Sequence, residues 1–140
     1  MGKMSTAQVE EFLAVVRHAI IATNRVDGPP QLTPVWYLYE DGRLYISAGA
    51  NAIKVRNLRR DPQVTVCVDG GHPDARYVIL QGTVQIVEPH DPQQEAMRWR
   101  IVRRYYTTEA DARRYYESIQ DSASVLLVLE PMTVIGQDYN

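Results

Sequence analysis

Apolar and polar residues alternate along much of this chain, and the alternation has two periods. Val64, Val66 and Val68 fall on one face of a strand over 64–68, with Thr65 and Cys67 on the other. Val9, Phe12, Leu13 and Val16 fall instead on one face of a helix that runs to about Arg17, and Ser5-Thr-Ala-Gln8 opens it as a capping box. A strand over 19–25 follows, and Asp27-Gly28 is a strong hairpin signal. The next strand covers 31–39; Pro34 has no N–H for a ladder, which puts an edge or a bulge there. Asp41-Gly42 turns the chain into a strand over 43–47. A short basic helix, with Asn51 able to cap it and Asp61-Pro62 to stop it, leads to the 64–68 strand. A loop rich in Gly, Pro and His at 69–74 precedes a long strand over 76–87. Helices at about 91–106 and 109–120 and strands over 124–129 and 133–136 complete the order.

Six or seven strands arranged as hairpins at a spacing of roughly 8–12 residues, with few helices, predict an antiparallel barrel or sandwich and not a parallel sheet. Closing such a sheet into a barrel removes its free edges. Length supports one domain over 1–140, and an apolar content of 45% with 23% charged residues is that of an ordinary soluble globular chain. The net charge of -2 argues against a general nucleic-acid binder. No apolar run reaches membrane-spanning length, and the first residues lack the apolar core of a signal peptide, so the cytoplasm is the expected location. The single Cys67 allows no intrachain disulfide and fits a reducing compartment; in mid-strand it reads as a small packed residue.

Familiar catalytic signatures are missing. There is no G-x-S-x-G, no G-x-x-x-x-G-K-[ST] and no G-x-G-x-x-G, which sets aside nucleophile-elbow hydrolases, P-loop enzymes and Rossmann domains. His18, His72 and His90 lie far apart without partners at metal-binding spacing, so no metal is expected. The chemically distinctive stretch is Lys54-Val-Arg-Asn-Leu-Arg-Arg-Asp-Pro62, with four cations, Lys54, Arg56, Arg59 and Arg60, between two strands. From the residues alone it reads either as a solvated basic face or as an anion site, where lysine and free helix N–H groups together suit a phosphate. A second basic region interleaves Arg98, Arg100, Arg103, Arg104, Arg113 and Arg114 with Trp99, Tyr105, Tyr106, Tyr115 and Tyr116. Met97, Ile101 and Tyr105 form a packing stripe there, and the arginines read as a surface or subunit-interface face, with contact to a cofactor tail as the alternative.

The succession Asp27-Gly-Pro-Pro-Gln-Leu-Thr-Pro-Val-Trp-Tyr37, Arg43-Leu-Tyr-Ile-Ser47, the Lys54–Pro62 stretch and Tyr77-Val-Ile-Leu-Gln-Gly-Thr-Val-Gln-Ile86 resembles the pyridoxamine 5′-phosphate oxidase-like split β-barrel flavoproteins. Within them it is most similar to the branch that uses the deazaflavin coenzyme F-420. The resemblance covers roughly residues 5–136. It implies a mainly β fold, a split β-barrel of about six antiparallel strands with flanking helices, in a homodimer with cofactor sites at the subunit interface. It assigns Lys54 to the cofactor phosphate, with Arg56 and Asn57 beside it on the helix. Ser47 and its neighbour Ala48 are placed beside the ring or ribityl chain, Gln31 and Thr33 near the ring edge, and Tyr77 on a strand that meets the ring from the partner subunit. Many relatives carry a basic residue where this chain has Ala52, and Arg56 or Arg59 are the candidates to replace it.

The implied activity is an oxidoreductase using coenzyme F-420 to transfer hydride to a small organic substrate, with the cofactor supplying the ring chemistry. Two alternatives stand beside it: an FMN-binding oxidase or reductase, and a flavin- or deazaflavin-binding protein without catalysis. Arg56, Arg59 and Arg60 are candidates for a basic groove along the deazaflavin tail. No side chain stands out as a general acid; Tyr37 and Tyr77 are the tyrosines placed to donate a proton, at an ordinary pKa near 10. Trp36 reads either as core or as a cofactor or substrate contact. The 69–74 loop and the tail to Asn140 are the expected source of substrate contacts.

Overall fold

The computed structural model describes residues 2–140. The capping box forms: Gln8 N–H donates to Ser5 Oγ at 3.2 Å, and Ser5 N–H donates to Gln8 Oε1 at 2.8 Å. The elements follow as β1 (Gly2–Lys3), α1 (Thr6–Ala14), β2 (Ala19–Thr23), β3 (Gln31–Val35), β4 (Leu38–Glu40), β5 (Arg43–Gly49) and α2 (Ile53–Arg60). Then come β6 (Gln63–Asp69), β7 (Arg76–Val87), α3 (Pro92–Arg104), α4 (Glu109–Ile119), β8 (Ser124–Leu129) and β9 (Thr133–Asp138).

Two departures from the sequence pattern have a common cause in Tyr37, which is fully buried. Helix α1 ends at Ala14 and not near Arg17, and Val15 is already extended. The Tyr37 hydroxyl donates to the Leu13 carbonyl at 3.0 Å, with the Val15 carbonyl at 3.2 Å, so these acceptors find a partner outside a helix. The strand expected over 31–39 breaks at Trp36 and Tyr37. There the Tyr37 N–H donates to Tyr105 Oη at 3.0 Å and the Tyr37 carbonyl accepts from Arg104 at 3.1 Å, so the end of α3 takes the backbone groups a ladder would have used.

The nine strands among the described residues form one curled antiparallel sheet in the order β3-β2-β6-β7-β8-β5-β4, with β9 on the first half of β7 and β1 on β9. This is the half-barrel of a split β-barrel. Strand β7 belongs to both halves: its residues up to Thr83 pair with β6 or β9, and Val84–Val87 pair with β8. Pro34 lies on the edge strand β3, where its missing N–H costs nothing. Val64, Val66 and Val68 point into the barrel with Leu44, Ile46, Leu127 and Leu129, and α1 and α2 plug it with Phe12, Leu13, Val55 and Leu58. Outside the β5–β8 half, α3 packs Met97 and Ile101 on Leu38, Tyr45 and Leu126. Strand β8 is therefore covered on both faces, which explains its unbroken apolar run.

The outer face of the other half has no such cover. Pro34, Ile20, Cys67, Ile79 and Ile135 lie in direct cross-strand register across five strands. Ile20 is 39% exposed, and Leu32 and Val134 are exposed on the same strands.

Gly82 sits where β7 passes from one half to the other. A Cβ there would meet Leu129 Cδ1 at 3.1 Å and the Glu130 carbonyl oxygen at 3.2 Å. Gly82→Ala is expected to destabilise the fold by about 1–3 kcal/mol, because the close contacts include backbone that cannot rotate away. Thermal denaturation checks it, and an unchanged midpoint would show that the crossing does not need this approach.

Candidate active site

Strand β5 delivers Ser47, Ala48 and Gly49 to the start of α2, and the α3–α4 hairpin lies opposite. Between them is a cavity of about 380 Å³, lined also by His18, Trp36, Lys54, Arg98, Ile101 and Tyr115. Ala52, not Asn51, is the cap position of helix α2, and no side chain caps it. Among the described residues the N–H groups of Ile53 and Lys54, in its first turn, have no partner and are left for a ligand or for water. Lys54, on that turn, is half-buried, forms no hydrogen bond or ion pair among the described residues, and has its pKa pushed below the usual lysine value by burial. A cation held partly out of water without a partner is a costly arrangement that an anion would relieve.

The opposite wall is aromatic and fixed. Trp36 stacks on Tyr105 with ring centres 4.6 Å apart and planes 6° from parallel, and Tyr115 lies 5.5 Å from Trp36. The Tyr105 hydroxyl donates to the Arg17 carbonyl at 2.6 Å, and Trp36 Nε1 donates to His18 Nε2 at 3.3 Å. A charged end with free N–H groups and a flat apolar wall together suit a ligand that joins a phosphate to an aromatic ring. Among the described residues, two other hollows, of about 490 and 850 Å³, are lined by no Lys and by a single Arg, Arg43, which pairs with Glu130 at 3.5 Å.

A family model described as pyridoxamine 5′-phosphate oxidase matches residues 5–138. The chain belongs to the pyridoxamine 5′-phosphate oxidase family. Among solved structures of this fold, a conserved hypothetical protein from Mycobacterium tuberculosis is 26% identical with a TM-score of 0.77, covering 96% of this chain and 85% of that one. An F-420 reductase is 25% identical with a TM-score of 0.70, over 89% of this chain and 94% of that one. A FAD-binding protein from Mesorhizobium loti, at 20% identity and a TM-score of 0.71 over 97% and 94% of the two chains, shares the fold.

Of the residues to which the sequence assigned a cofactor role, the family fold brings Ser47, Ala48 and Lys54 together at the cavity. The others do not line this cavity. Asn57 is buried and donates to Thr23 Oγ1 at 3.1 Å, and that hydroxyl donates to Gln31 Oε1 at 3.3 Å, a polar chain that ties α2 to β2 and β3. Thr33 Oγ1 is buried without a partner. Arg56 is exposed, and Tyr77 lies on the barrel's outer face beside Tyr139, with ring centres 6.2 Å apart. Arg59 does not stand in for a charge at position 52: it forms a two-pronged pair with Glu88 at 2.8 and 2.9 Å. Arg60 donates to the Asn24 carbonyl, so neither lines a groove from Lys54.

The expected proton donors change character as well. Tyr37 is walled in, and burial pushes its pKa up to about 12, which makes it a weaker acid. Tyr77 is raised too, chiefly by its hydrogen bond with Tyr139. The 69–74 loop and the C-terminus are tied to one another, Asn140 Nδ2 donating to Asp74 Oδ1 at 3.1 Å, and do not line the cavity. His18, Arg98 and Tyr115 do line it; Arg98 and Tyr115 belong to the second basic region, for which contact to a cofactor tail is the alternative reading, and the sequence does not single out His18 for a cofactor. Among the described residues no cluster of three or more His, Cys, Asp or Glu could hold a metal, and no helix is long and apolar enough to cross a membrane.

Lys54→Met is expected to weaken binding of a phosphate-bearing ligand by roughly 10- to 150-fold, the 1.5–3 kcal/mol of a lost charged hydrogen bond. It is also expected to raise the melting temperature of the unliganded protein, because a half-buried charge is removed. The sign with pH follows from the depressed pKa. The penalty for burying the ammonium is full below that value and is relieved as pH rises through it toward the unfolded lysine's value, so the stability gap between variant and wild type narrows there. Unchanged affinity would remove Lys54 from the anion site.

Proposed function

We propose that this protein is an oxidoreductase that binds a flavin-type cofactor, the deazaflavin coenzyme F-420 in preference to FMN, in the cavity between β5, α2 and the α3–α4 hairpin. The observation that carries this reading is the unpartnered, half-buried Lys54 at an uncapped helix start, facing a fixed aromatic wall. Similarity to the F-420 reductase, at 25% identity over most of both chains, supports the choice of cofactor.

In this reading Lys54 and the first N–H groups of α2 anchor the phosphate, and Ser47 hydrogen-bonds the polar chain next to it. Trp36 and Ile101 exclude water from the ring. When bound, the coenzyme supplies hydride to a small organic acceptor. The raised pKa values of Tyr37 and Tyr77 make each a weaker proton donor than an ordinary tyrosine. The single thiol of Cys67 fits a reducing compartment, the cytoplasm.

The deciding experiment is fluorescence titration of the purified protein with F-420 and with FMN at matched ionic strength. Micromolar F-420 binding with FMN at least about tenfold weaker is expected. The reverse order moves the protein to an FMN-dependent oxidase or reductase. Binding without consumption of reduced coenzyme against a panel of acceptors makes it a non-catalytic carrier.

The apolar row on the outer barrel face supports a homodimer. A second copy is the occupant that would cover Ile20, Ile79 and Ile135, residues too apolar and too well aligned for a face left in water. Sedimentation is expected to show a dimer at micromolar concentration. Ile20→Asp should shift it to monomer with the circular dichroism spectrum kept, whereas a wild-type monomer at that concentration removes the shared-interface arrangement.

A further inference from the structure

Helix α3 carries four arginines, and three of them are accounted for by partners. Arg100 pairs with Glu40 at 2.8 Å, Arg103 donates to the Tyr106 carbonyl at 2.9 Å, and Arg104 donates to the Tyr37 carbonyl at 3.1 Å. Arg98 is different: it is only 4% exposed. Its guanidinium donates to the Ile119 carbonyl at the end of α4. Among the described residues the one carboxylate within ion-pair distance is Glu95, at 4.0 Å and itself 51% exposed. The Tyr116 ring lies 5.8 Å from the guanidinium. A guanidinium has five N–H donors, and one carbonyl, one loose ion pair and one ring face leave most of them without a hydrogen-bond partner.

Arg98 lines the same cavity as Lys54, and it also lines a second hollow of about 250 Å³. The two hollows share a wall that includes Ser47, Gly49 and Tyr115, and the second ends at Ser122 and Ser124. They are two lobes of one cleft, one aromatic and one lined with serines, and Arg98 stands where they meet. Position 52, at the start of α2, offers only a methyl group. The second positive charge at this cleft comes from α3.

We propose that Arg98 is the second cation of the anion site, holding with Lys54 the phosphate of the bound cofactor at the junction of the two lobes. The inference rests on the flavin-type reading above. A guanidinium adds what an ammonium lacks, a planar fork that fits two phosphate oxygens at once. The aromatic lobe takes the ring. The serine-lined lobe takes the polar chain beyond a phosphodiester, which a terminal phosphate would leave empty.

The test compares ligands that differ by the phosphate: FMN with riboflavin, and F-420 with its phosphate-free deazariboflavin. Arg98→Gln keeps a donor for the Ile119 carbonyl and removes the charge. It is expected to weaken the phosphate-bearing member of a pair by about tenfold or more and to leave the phosphate-free member unchanged. Arg98→Lys keeps the charge without the fork, and a smaller loss selective for the phosphate is expected; this milder variant decides the matter if Arg98→Gln does not fold. Equal losses for both members, or none, would overturn the proposal and leave Arg98 as a fastener between α3 and α4. If the wild type binds none of the four ligands, the cofactor reading fails separately. The paired cations are then judged on pyrophosphate: thermal stabilisation present in the wild type and lost in both Arg98→Gln and Lys54→Met upholds them, and its absence in the wild type overturns them.

Discussion

One strand holds the architecture together. β7 must serve two halves of the sheet at once, giving its first half to β6 and β9 and its last residues to β8. It does so by passing close over Leu129 and the Glu130 backbone at a residue with no side chain. This crossing curls the sheet, and the curl creates an inside, filled by valines, leucines and two helices, and two outsides of different character. One outside is roofed by α3. The other is a bare apolar face. The cavity, the aromatic wall and the expected subunit contact all follow from where that strand changes partners.

The cleft is built from groups whose needs the chain itself leaves unmet. Helix α2 starts without a capping side chain, Lys54 sits half-buried beside it, and Arg98 is buried on the facing helix with a distant carboxylate. Each costs stability alone, and an anion would relieve all three together. The surrounding structure, in contrast, is satisfied in detail. The break between β3 and β4 is filled by Tyr105 and Arg104, which hold the end of α3 and set Trp36 flat against Tyr105. The polar chain from Asn57 through Thr23 to Gln31 fixes α2 on the sheet. Rigid support around uncompensated charge is the arrangement expected of a preorganised binding site.

Several polar residues find partners that the pattern did not foretell, for a reason they share. Asn57, Gln31 and Tyr37 carry polar groups whose partners lie on other elements, so position along the chain could not say whether they face a ligand or one another. Arg59 shows the same limit: its nearest carboxylate, Glu88, lies at the far end of β7 and is brought close only by the β6–β7 pairing.

What the sequence by itself determined is local. The capping box at Ser5 and Gln8, the turn at Asp41-Gly42, the inward valines of β6 and the short basic helix with Lys54 near its start each depend on a few neighbouring residues. Such signals are written in spacing and survive in any context. The tertiary structure alone decided that the strand over 31–39 breaks, that Tyr37 is a buried tie with a raised pKa, and that of four arginines on α3 it is Arg98 that reaches the cleft. Whether a charged side chain is buried depends on which elements are packed around it, and those are set by pairings between residues far apart in the chain, which no local period records.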